Sequence, residues 1–178
     1  MTESGGLPAP STFIADWLRE RTPDRGTRPR ALDLACGRGR HAVPLAGAGY
    51  DVFAIDIQFD ALLAAREAAA SRAVHLHLAC ADLTSMPLPP GTFDLIVVTR
   101  YLDRHLFPAL RASLAPGGVL LYETFTEHQL RYDRGPRSRS HLLAPGELRM
   151  LVQGMDVLFD EEVVAPEAVA RIAARRRA

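Results

Sequence analysis

The chain has 178 residues, enough for one domain with a proper hydrophobic core and too few for an added substrate domain, which argues against an ordinary two-domain dehydrogenase. Basic and acidic residues balance at 21 each, so the totals call for neither nucleic acid nor a membrane surface as a partner. Every one of the 21 cationic residues is an arginine, which we read as the coding bias of a high-GC, bacterial genome.

Cys36 and Cys80 are the only cysteines, and their spacing fits neither a disulfide framework nor a zinc site. The N-terminus lacks the basic, apolar and cleavage regions of a signal peptide, and no apolar run is long enough to span a bilayer. A cytoplasmic protein without a membrane or metal partner is expected.

In chain order, residues 1–10 are rich in Gly, Pro and Ser and predict a disordered tail, with the folded domain running over 11–178. Ser11 can cap a helix whose apolar face is Phe13, Ile14, Trp17 and Leu18. A polar loop over Arg19–Arg30 leads into a short apolar strand, Ala31–Leu34. Helix and strand then alternate: a helix over Arg40–Ala48 ended by Gly49, a strand over Asp51–Ile55, an alanine-rich helix over Gln58–Arg72 and a strand over Val74–Ala79. Phe93–Thr99 reads as a strand, Asp103–Leu114 as a helix, Val119–Thr124 as a strand and Pro145–Gln153 as a helix. Strand-like runs at Met155–Glu161 and Ala168–Ala173 complete the chain. Pro44 sits inside its helix and predicts a kink or a shortened first turn. The alternation predicts an α/β fold, a doubly wound and mostly parallel sheet in a single domain, with ligands taken at the carboxyl ends of the strands.

Asp33-Leu34-Ala35-Cys36-Gly37-Arg38-Gly39 and Ala54-Ile55-Asp56 are the most informative stretches. Glycines let the chain turn sharply where a ligand must approach the backbone, and an acid closing the second apolar run suits the hydroxyls of a ribose. Gly37-x-Gly39-x-x-Ala42 can be parsed as a dinucleotide fingerprint, with Asp56 near the required offset, which would make the chain a nicotinamide-dependent oxidoreductase. The competing parse begins at Asp33. A carboxylate there repels a pyrophosphate but suits the ammonium and sulfonium of S-adenosylmethionine, and this reading is preferred.

These stretches, with Ala81-Asp82-Leu83, Met86-Pro87-Leu88, Thr92-Phe93-Asp94-Leu95-Ile96-Val97-Val98 and Leu114-Ala115-Pro116-Gly117-Gly118-Val119, resemble the ordered signature of the class I S-adenosylmethionine-dependent methyltransferases. Leu32–Asp56 and Gly146-Glu147-Leu148-Arg149 are further similar to the small methyltransferases of the tellurite-resistance type. The resemblance implies the Rossmann-like methyltransferase fold with seven strands and S-adenosyl-L-methionine as cofactor. It also implies that Asp33 faces the methionine ammonium and that Ala35, Gly37 and Gly39 bring the backbone close. Asp56 would hold the ribose, Asp82 and the backbone of Leu83 the adenine edge, and Ile57 the ring face. Thr99 and Arg100, just past the fourth strand, complete the expected cofactor set.

Each residue also has a plainer reading. Asp33 can cap the following turn, Asp94 can merely begin its strand, and the cysteines can be small buried residues. His75 and His77 share a strand face, yet no third ligand is spaced near them. His105 lies one helical turn from Tyr101, and these two residues are the candidates for catalysis, with Glu123 a further candidate base. The segment 126–144 is long for a connection and predicts a lid. Arg40, Glu123, Arg131, Tyr132 and Arg137 are expected to meet the substrate, with the cationic segment drawing an anionic molecule.

The expected reaction is methyl transfer to a small, anionic or soft-nucleophile acceptor: a thiol, a chalcogen oxyanion or a small metabolite. A noncatalytic module that binds the same cofactor is the remaining alternative. The expected assembly is a monomer or homodimer. Arg175-Arg176-Arg177 lacks the interleaved aromatics of an RNA-binding surface, and nucleic acid is not expected as a partner.

Overall fold

The computed structural model describes residues 7–21, 23 and 28–177. The expected disorder of the tail therefore lies outside the described residues over 1–6, as does most of the loop at 22–27. Packing gathers the chain into two compact units, residues 1–82 and 83–178.

The first unit opens with α1 (Thr12–Glu20), where the Ser11 Oγ accepts the Ile14 N–H at 3.3 Å and the expected face, Phe13, Ile14, Trp17 and Leu18, is buried. It continues with β1 (Arg30–Leu34), α2 (Ala42–Gly47), β2 (Asp51–Asp56), α3 (Phe59–Ala70) and β3 (His77–Cys80). β2 lies between β1 and β3, parallel to both, with Asp33 opposite Ala54 and Ile55 opposite Ala79. Leu32, Leu34, Val52 and Ala54 are buried in the manner of a parallel sheet covered on both faces.

Two of the boundary shifts have a clear local cause. α2 starts at Ala42, not Arg40, which leaves Pro44 as its third residue. The missing N–H falls in the first turn, where backbone donors have no helical partner, so the shortened turn absorbs the proline. β3 begins three residues later than Val74, because the Val74 N–H donates back to the Ala69 carbonyl at 3.1 Å and closes the end of α3.

The second unit holds β4 (Phe93–Thr99), a 3-10 turn at Arg104–Leu106, α4 (Phe107–Ser113), β5 (Leu114–Phe125), 3-10 turns at Glu127–Arg131 and Arg139–His141, α5 (Glu147–Leu151), β6 (Asp156–Val163) and β7 (Val169–Arg175). β4 and β5 are parallel, and β7 runs antiparallel between β5 and β6. The helix expected over 103–114 divides at its start, where Pro108 in the first turn of α4 removes a donor. β5 is longer than expected because Leu114 already pairs with Phe93 ahead of the Pro116-Gly117-Gly118 irregularity. A Cβ on Gly118 would stand 2.8 Å from the Phe93 carbonyl oxygen, so glycine is required there. Among the described residues no helix is long and apolar enough to cross a membrane.

Candidate functional site

The chain leaves β1 through a compressed turn. Ala35 and Gly37 take positive φ angles of 53° and 54°, and Gly39 takes 84°. Gly39 is also confined, since a Cβ would approach that of Ala65 in α3 to 3.1 Å. The Cys36 N–H donates to the Ile55 carbonyl at 3.0 Å and ties the turn to β2. Asp56, the last residue of β2, completes the tie. Its Oδ2 accepts the Gly37 N–H at 2.7 Å and its Oδ1 accepts the Gln58 N–H at 2.9 Å.

Asp33 is 1% exposed, and its carboxylate accepts the N–H of Ala42 at the start of α2. The bond reaches past the turn to the first residue of α2. Its Oδ2 has no hydrogen-bond partner among the described residues. Burial pushes the carboxyl up to about 7, against the opposing pull of the Ala42 N–H and of the Arg40 guanidinium. Arg40, expected at the substrate, therefore acts in the field of Asp33. The thiol of Cys36 is buried, and desolvation together with Asp33 and Asp56 pushes it far above its ordinary range, which disfavours the thiolate.

Ile57 follows Asp56 and is 64% exposed, an apolar side chain left open to solvent beside a carboxylate. Asp82 is exposed beyond the end of β3. The His75 and His77 rings meet edge-on at 4.8 Å, and His77 pairs with Asp51 at 2.9 Å. Among the described residues no three metal-ligating side chains come together.

In the second unit Leu83 is buried, and Thr99 ends β4. Arg100 adopts a φ of 55° and its guanidinium bonds Glu167 at 2.7 Å and lies over the Phe125 ring, so its charge is committed within this unit. The carbonyl of Tyr101 accepts the hydroxyl of the buried Tyr122 at 2.8 Å. His105 is exposed, its N–H held by the Asp103 carboxylate at 2.9 Å. Arg104 beside it makes a bidentate pair with Glu147, at 2.5 and 2.9 Å, and also donates to the carbonyls of Ser140 and Leu142. This pairing lowers the Glu147 carboxyl and raises the Arg104 guanidinium.

Glu123, expected at the substrate, is 4% exposed and bonded to Arg171 of β7 at 2.7 Å. Arg171 also reaches Glu161 of β6, at 3.3 Å. The β-sheet register sets all three side by side. The segment 126–144 is anchored along its length. Gln129, fully buried, accepts the Ala168 N–H at 2.7 Å and donates to the Arg134 carbonyl at 2.9 Å. Tyr132 bonds the Val164 carbonyl, Arg134 bonds that of Pro166, and Leu143 pairs back to Phe125. Arg137 turns to Asp133 and Leu130, while Arg131 is exposed. Tyr122, Gln129, Arg104 and Arg171 escaped the sequence reading, because each acts through a partner distant in the chain.

A family model described as a methyltransferase domain matches residues 31–118. The demethylmenaquinone methyltransferase of Beutenbergia cavernae is 31% identical over 119 residues, which is 62% of this chain and 47% of that protein. The chain spans about half to two thirds of the length of the curated relatives it matches. An S-adenosylmethionine-dependent methyltransferase from Mesorhizobium loti shares the fold with a TM-score of 0.72 at 20% identity, over 93% of this chain and 99% of that one. TehB from Haemophilus influenzae does so with a TM-score of 0.74 at 20% identity, over 92% of this chain and 61% of that one. These matches take in both units and show the mostly parallel sheet expected from the alternation of elements, with the seven strands that the resemblance implies. The dinucleotide parse of the glycine turn gives way to the one that begins at Asp33. By motif order and family model together, residues 31–118 match a methyltransferase domain, and the chain is similar in fold to S-adenosylmethionine-dependent methyltransferases.

Proposed function

We propose that this chain transfers a methyl group from S-adenosylmethionine to a small-molecule acceptor, and that residues 33–57 and Asp82 hold the cofactor. The observation that carries this reading is the position of Asp56. Its carboxylate offers about four lone-pair directions, of which the Gly37 and Gln58 N–H groups occupy two. A vicinal diol fits the remainder. The partnerless Oδ2 of Asp33 is the second sign of fit, since a buried carboxylate is costly until a cation or donor meets it. The exposed Ile57 offers an apolar contact to a purine face, and Asp82 an acceptor for its amino group.

When bound, the cofactor supplies an electrophilic methyl group on a sulfonium. The protein's task is then mostly positioning, which can contribute roughly 7–11 kcal/mol. Arg100, held by Glu167, fixes the turn after β4. A thiolate or chalcogen anion needs no base. For an oxygen or nitrogen acceptor His105 and Tyr101 are the proposed bases, because Glu123 is already paired with Arg171; the two are not one helical turn apart as expected, since the helical turn begins only at Arg104. Arg131 is the residue of the 126–144 segment left to meet an anionic acceptor, whereas Tyr132 and Arg137 brace that segment.

Calorimetric titration with S-adenosylmethionine and with S-adenosylhomocysteine should give saturable heats, and a nicotinamide dinucleotide should give none. Transfer of tritiated methyl to a panel of thiols, selenite, tellurite and hydroxylated aromatics then identifies the acceptor. Absence of heat with both sulfur nucleosides would remove the proposal. Tight binding with no turnover of any panel member would favour the noncatalytic alternative.

A further inference from the structure

α3 has an apolar stripe beyond what the sheet requires. Phe59, Leu62, Leu63, Ala69 and Ala70 form it at helical spacing, and with Arg66 on the same face and the strand-side Leu76 they border a cavity of about 420 Å³. That volume falls within the roughly 300–1,000 Å³ of small-molecule sites. The cavity has a sequence cause. Ala69 and Ala70 end the stripe with methyl groups, leaving a trough where larger side chains would have closed the helix onto β3.

The lining is asymmetric in charge. Leu62 and Leu76 are buried on the floor, and Phe59 stands 62% exposed at the mouth. Arg66 and His75 form the polar part of the rim, and no carboxylate lines the cavity. None of the residues proposed to hold the cofactor lines it either. An apolar trough with a cationic rim is complementary to a molecule with an apolar body and an anionic head.

We propose that the groove between α3 and β3 is a binding site for an anionic amphiphile, a carboxylate-headed hydrocarbon chain whose head meets Arg66 and whose body lies over Leu62, Leu63 and the alanine floor. This site stands apart from the methyl-transfer reading and survives or fails without it.

The test is calorimetric titration of the full chain with dodecanoate, below its micellar concentration, and with dodecanol as the uncharged control. Wild-type protein should bind one dodecanoate saturably and bind dodecanol at least about tenfold more weakly. Ala70→Leu, which fills the trough from its exposed end, should weaken dodecanoate by about tenfold or more, with circular dichroism and S-adenosylhomocysteine binding unchanged. Arg66→Glu should weaken dodecanoate by a similar factor and leave dodecanol unaffected. No saturable heat, equal affinity for acid and alcohol, or equal binding by all three proteins would each overturn the proposal. Concentration-dependent dimerisation that Ala70→Leu abolishes would overturn it in favour of a second copy of the chain as the occupant.

Discussion

The N–H of Gly37 donates to the carboxylate of Asp56 at 2.7 Å, joining the glycine turn after β1 to the last residue of β2 across a separation of 19 residues. One carboxylate therefore shapes the turn and closes the neighbouring strand. Asp56→Ala should weaken S-adenosylhomocysteine binding by at least about tenfold, since hydrogen bonds to a charged group contribute about 1.5–3 kcal/mol. Calorimetry reads this directly. An unchanged affinity would detach Asp56 from the cofactor.

Asp33 makes the free protein sensitive to pH. Its carboxyl is raised to about 7, so the native state holds a proton that the unfolded chain releases between the ordinary carboxylate range and neutrality. Stability of the free protein should fall as pH rises through that window and level off above it. Asp33→Asn should flatten the difference, as read by thermal melts across about pH 5 to 8. An ammonium beside the carboxylate reverses its preference, so cofactor binding near neutral pH should release a proton. Equal binding heats in buffers of different ionisation enthalpy would place Asp33 out of the ligand's reach.

Gly39 and Gly37 should respond differently to alanine. Both need a positive φ, but only Gly39 is also crowded, by Ala65 and Val43. Gly39→Ala should cost about 2–3 kcal/mol and Gly37→Ala about 1–2 kcal/mol. Denaturant melts compare them, and equal losses would mean that α3 yields to the added methyl.

Arg104 gathers the Glu147 carboxylate and the Ser140 and Leu142 carbonyls at one guanidinium. Arg104→Gln should destabilise the protein by about 2 kcal/mol near neutral pH. Because Glu147 titrates below its ordinary range, this contribution is present above that range and lost as pH falls through the lowered value. Urea titrations at neutral and strongly acid pH should therefore show the difference between wild type and variant shrinking in acid.

Arg171 neutralises the buried Glu123. Arg171→Ala leaves an unpaired charge inside the sheet and should cost about 3–5 kcal/mol. Replacing both residues by leucine should recover most of that loss. A double-mutant cycle measures the coupling, and strictly additive effects would show that Glu123 finds water or another donor.

Much of the scaffold is legible in the chain because its signals are local. The apolar run Phe93–Thr99 coincides with β4 at both ends, and Ser11 caps α1 as its side-chain chemistry suggests. Boundaries slip where a longer-range bond intervenes. Val74 reads as strand but donates to the end of α3, and Leu114 reads as helix end but already pairs with Phe93. In the candidate site, Asp33, Gly37, Gly39 and Asp56 are legible because the turn they build is short in sequence. Glu123 and Arg100 are not, since both look like available polar groups at a strand end.

By itself the sequence determined the alternation of strands and helices, the glycine turn and the acids that flank it, because periodicity and turn chemistry act over a few residues. The tertiary structure decided which charges are free. Glu123 meets Arg171 at a separation of 48 residues and Arg100 meets Glu167 at 67, encounters fixed only when strand register and loop anchoring bring remote segments together. A carboxylate shows in the sequence wherever it stands, but whether its charge is left for a ligand depends on what folding places beside it.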